Sequence, residues 1–148
     1  MSLAAKLLHL VAAVIWLGGM TFMLGALRPV AMAQLPPPAR LPLLTAVLHR
    51  FFVAVWICVA VLLLTGTYML ANAGMKNAPV GWHLMLGIGL LMSVIFSFLY
   101  FGPFRRLQIA AAAANWPEAG KQMARIHPLV LVNFTLGWLA VAGVYFVR

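Results

Sequence analysis

The chain has 148 residues, 66% hydrophobic and 7% charged, with a mean hydropathy of +1.06. Soluble domains are about half apolar and about a quarter charged, so these proportions exclude a water-soluble globular protein. Ten Lys and Arg face one acid, Glu118, for a net charge of +9; with apolar runs this long, that excess belongs in membrane-flanking loops, and no nucleic-acid partner is expected.

A membrane-spanning helix needs about 20 mostly apolar residues, and four stretches qualify. The first runs from Leu7 to Leu27 and should stop at Arg28-Pro29, with Pro36-Pro37-Pro38 extending the connection. Ala31-Met32-Ala33 has the look of a signal-peptide cleavage site, but the apolar region exceeds the roughly 7 to 15 residues of a signal sequence, so a retained helix is expected. The second span covers Phe51 to Leu70; Leu41 to Leu48 is also apolar, so entry could lie nearer residue 45. Its one cysteine, Cys58, has no partner for an intrachain disulfide. The third runs from Val80 to Phe101 and should end at Gly102-Pro103 before Arg105-Arg106. Asn115-Trp116-Pro117-Glu118 reads as a helix start, which predicts a short interfacial helix from Pro117 to Arg125. The fourth span then covers Pro128 to Val147, with His127 at its border.

Short connections between four spans predict one all-α domain over residues 1–148, an antiparallel up-down four-transmembrane-helix bundle. Lys6, Lys76 and Arg148 fall on the side of the termini. Arg28, Arg40, Arg50, Arg105, Arg106, Lys121 and Arg125 fall on the other. By the positive-inside rule the second side is cytoplasmic, which puts both termini in the periplasm if the membrane is a bacterial inner membrane.

Each helix carries one histidine near its N-terminal end: His9, His49, His83 and His127. Alternating helix directions pair His9 with His83 at the outer layer and His49 with His127 at the inner layer. Two imidazoles across a bundle core suit the axial positions of a haem iron, so one or two haem b groups are expected. Arg50 and Arg125 would meet the propionates of the inner haem. On this reading the protein is a b-type cytochrome that exchanges electrons across the membrane, with quinone or with a redox partner, and it could form a homodimer. Trp16, Phe134 and Trp138 could line the space between haems.

The competing metal is copper, whose soft Cu(I) form accepts imidazole and thioether ligands. Met20, Met23, Met69, Met85 and Met92 lie in the spans, and the four histidines would serve copper instead of haem iron. A third reading is a non-catalytic membrane subunit. Paired-carboxylate catalysis is excluded by the single acid, so any enzymatic redox chemistry would be carried by a cofactor.

The first helix reads His9-Leu-Val-Ala-Ala-Val-Ile-Trp16-Leu17-Gly18-Gly19 and closes on Leu27-Arg28-Pro29. It resembles the opening of the CopD-like copper-resistance membrane domain, and the likeness extends over the four-span layout. That resemblance implies copper resistance or copper uptake. His9 followed by Trp16 is also similar to the first helix of HemJ-type haem-binding oxidases, which use a Lys in the third helix where this chain has none.

Overall fold

The structure, a computed structural model, describes residues 2–147; Arg148, counted above on the side of the termini, lies outside the described residues. It is an antiparallel bundle of four helices, each long and apolar enough to cross a membrane: α1 Leu3–Gln34, α2 Pro37–Ala73, α3 Val80–Ala112 and α4 Trp116–Phe146. No strand occurs among the described residues. The protein is an integral membrane protein. The α1–α2 and α3–α4 hairpins make the tightest pairs, α1 against α4 and α2 against α3 close the ring, and α2 reaches α4 across the middle.

The helices run past the apolar spans. At 1.5 Å per residue, 37 residues of α2 measure about 55 Å, against a hydrocarbon layer of about 30 Å. The surplus lies at the end where α1 and α3 finish and α2 and α4 begin, and it carries the seven inner cations.

Two expected helix stops and one expected break between helices are crossed. Pro29 removes an N–H and drives its ring at the carbonyl four residues back, Gly25. A π turn over Met23–Leu27 absorbs both effects, and α1 continues to Gln34. Gly102-Pro103 is likewise taken into a π turn, Tyr100–Phe104, after which α3 continues to Ala112. The interfacial helix expected over Pro117 to Arg125 is instead the first part of α4, which passes through Pro128 unbroken. Ala119, Gln122 and Ile126 bury one face of that segment in the bundle, and this packing offsets the bond lost at Pro128.

The Asn115 start is as expected: its side chain accepts from the Glu118 backbone N–H at 3.4 Å, with Pro117 in the first turn. The same residue also closes α3. Asn115 N–H donates to Ala110 O at 2.9 Å and Ala114 N–H to Ala111 O at 3.1 Å, a Schellman ending that places Ala114 at φ 54°.

Near the outer end, α3 and α4 approach backbone to backbone. A Cβ on Gly81 would stand 2.5 Å from Val147 O and 2.6 Å from Gly143 O. Such close crossings of small residues replace the hydrophobic drive that helices lack in lipid. Toward the inner end, α2 and α3 are joined by rings: Phe52 to Phe104 and Trp56 to Phe96 at 4.8 Å, Phe52 to Phe96 at 5.3 Å and Trp56 to Tyr100 at 5.4 Å, all edge-on.

Candidate functional site

Small residues leave the half of the bundle nearest the termini unfilled. Ala13 of α1, Gly66 of α2, Gly89 of α3, and Gly137 and Ala140 of α4 face a cavity of about 480 Å³. Its α1 wall includes Lys6, His9, Ala13 and Trp16, and its α3 wall includes Trp82, Met85, Gly89 and Met92. Both sets follow the three- and four-residue spacing of a single helix face.

His9 is the cavity's one imidazole, and a hydrogen-bond relay fixes its ring. Its Nδ1 lies 2.7 Å from Thr65 Oγ1, and Thr65 Oγ1 donates to Val61 O at 2.6 Å. A carbonyl oxygen can only accept, so the single hydroxyl proton is committed to Val61. Thr65 must then accept from His9 Nδ1–H. The ring nitrogen left free is Nε2, the tautomer arrangement found where a second residue orients a metal-binding histidine. Ring atom Cε1 lies over Gly66, where even an added Cβ would be 3.5 Å away. Three thioethers, from Met69, Met85 and Met92, share the cavity with that nitrogen.

The other histidines are placed differently. His83 follows Trp82 by one residue, which turns it about 120° from the middle of the α3 cavity face, and it does not line the cavity. His49 is exposed at the basic end, where Gln108 Nε2 donates to its Nδ1 at 3.4 Å. His127 is half-buried and borders a second, small pocket of about 40 Å³ with Met23, Arg28 and Met123. The expected layers therefore share no cavity: His9 stands without His83, and His127 without His49. Arg50 and Arg125, expected at propionates, are exposed. Phe134 stacks edge-on with Trp138 at 6.3 Å, and Trp138 is half-exposed on the outer surface of the bundle.

Among the described residues, no three His, Cys, Asp or Glu side chains gather in a metal-binding group. The soft donors that line the outer cavity are the His9 imidazole and the thioethers of Met69, Met85 and Met92. Such a donor set suits a soft monovalent ion and disfavours zinc, calcium and magnesium.

Sequence reasoning did not single out Thr65 or Met123. Thr65 is 56 residues from His9, and no local pattern marks it. Met123 was hidden because its segment was expected to lie on the membrane surface.

No curated protein and no solved structure matches the chain. The family described as copper resistance protein D, CopD, matches residues 45–147. The match covers α2 from residue 45 onward and the whole of α3 and α4, including Thr65, the cavity methionines and His127, while His9 and the first-helix motif precede it. More than half of the chain lies within the matched segment, and it belongs to the CopD family.

Proposed function

We propose that this protein handles copper(I) as a substrate in a bacterial inner membrane, with both termini periplasmic and the outer cavity as its entry site. His9 Nε2 supplies the nitrogen ligand, and Met69, Met85 and Met92 supply sulfur. The observation that carries the reading is the Thr65 relay, which commits His9 Nδ1 to a protein partner and leaves Nε2 free in a cavity that three methionines also line. Imidazole with thioether is the donor set that Cu(I) prefers. The orientation rests on the seven-to-three division of cations between the two ends.

The family match does not favour haem b electron transfer, and neither pocket is lined by both histidines of an expected pair. Copper(I) gives the cavity methionines a ligand role beside the imidazole.

The test is an anaerobic titration of the purified full-length protein with Cu(I), in competition with a chromogenic chelator, alongside an absorption spectrum before and after dithionite. Stoichiometric Cu(I) binding is expected, with affinity falling on the order of 100-fold in H9A, the upper end of the range known for orienting residues. A colourless wild-type protein that takes up no Cu(I), or one with reducible haem bands, would overturn the reading. A reporter fused after Arg148 should be active in the periplasm.

A further inference from the structure

The small inner pocket repeats the chemistry of the outer cavity with different residues. Met23 of α1, together with Met123 and His127 of α4, lines it, so two thioethers and an imidazole again share one space. These three residues lie at the opposite end of the bundle from His9. We propose that they form a second copper(I) station, at which the ion arrives after crossing the bundle. The inference rests on copper being the substrate.

Local backbone geometry supports a built site. Five residues of α-helix turn about 500°, which would separate Met23 and Arg28 by roughly 140° around α1. The π turn between them, in which Arg28 N–H bonds to Met23 O, draws both to the same pocket. Arg28 therefore stands beside the ligands as a fixed positive charge. A cation next to a cation-binding site weakens it, as Coulomb repulsion requires. The inner station is thus suited to passing the ion on, and the outer cavity to capturing it.

The partition between the two sites carries donors of the same kind. Met20, one turn before Met23, is 2% exposed within it. Asn133 of α4 lies between Val130 of the inner pocket and Gly137 of the outer cavity. Its Nδ2 donates to Met92 O at 3.2 Å, but its buried Oδ1 has no partner. A buried acceptor left unpaired is costly and uncommon, and a passing cation would satisfy it.

The experiment is an anaerobic titration of the full-length protein with Cu(I) supplied as its bicinchoninate complex, for the wild type, H9A, M23L/M123L, H127Q and R28Q. Leucine keeps the volume of methionine without its sulfur, so the double variant tests ligation apart from packing. Wild type should bind two Cu(I). H9A should retain one, whose X-ray absorption shows sulfur and imidazole neighbours. M23L/M123L and H127Q should each lose the other, and R28Q should bind it about tenfold more tightly. If H9A binds no copper while M23L/M123L matches wild type, the inner station is overturned and the outer site stands. A wild type that binds none removes the copper reading itself, and unchanged affinity in R28Q overturns the role given to Arg28.

Discussion

The two halves of the bundle are built from side chains of opposite size. In the outer half, Gly66 and Gly89 border about 480 Å³ of open volume; in the inner half, Phe52, Trp56, Phe96, Tyr100 and Phe104 interlock, and the pocket that remains is about 40 Å³. Lipid provides no hydrophobic drive between helices, so van der Waals contact does most of the work of holding them together. The inner half has that contact in full, and the outer half forgoes part of it around one oriented histidine. Packing is therefore concentrated at the basic end and open volume at the end of the termini.

Truncation at matched depths would break this comparison most directly. Phe52 is 2% exposed and touches four other rings, so F52A should cost about 3 to 5 kcal/mol. Leu86 borders the open cavity, and L86A should cost less than about 2 kcal/mol because few atoms pack against the side chain it loses. Thermal unfolding in one detergent compares them, and equal losses would show that the outer half is packed as tightly as the inner.

Filling the cavity sharpens the same contrast from the binding side. A Cβ at Gly89 meets no atom within 4 Å, and Gly89 lines the cavity. G89F should leave the melting temperature near wild type and weaken Cu(I) binding at least about tenfold, the scale of a lost positioning contact. Binding unchanged in a well-folded G89F protein would place the copper site elsewhere.

Smaller effects probe single hydrogen bonds. T65V keeps the shape of Thr65 but removes the acceptor for His9 Nδ1–H, and Cu(I) affinity should drop about tenfold. At the α3–α4 corner, A114G relieves a left-handed backbone at φ 54° and should stabilise the protein by about 0.5 to 1 kcal/mol. Chemical unfolding of that variant reads the effect, and a destabilised protein would contradict the Schellman assignment.

Much of the fold could be read from residue order because apolar length is a local property. Four runs, their direction and the seven-to-three cation division all follow from counting. Proline was misleading as a stop signal at positions 29 and 103, and as the start of a new helix at 128, since its effect depends on what surrounds it. Two π turns and the packing of Ile126 and its neighbours let the helices continue. The candidate site was legible only in its residue types. His9 and the methionines of α2 and α3 were evident, whereas the expected histidine pairs assumed that residues at one depth also share a face.

Composition and periodicity alone determined that this is a four-helix membrane protein with a basic end, because every apolar run long enough to span must be satisfied within its own helix. Only the tertiary structure decided which side chains meet. One residue of offset turns a helix position by about 100°, enough to take His83 off the cavity wall while His9 stays on it. A contact 56 residues away then fixes the His9 tautomer. That partner depends on how two helices pack, which no local pattern in either helix specifies.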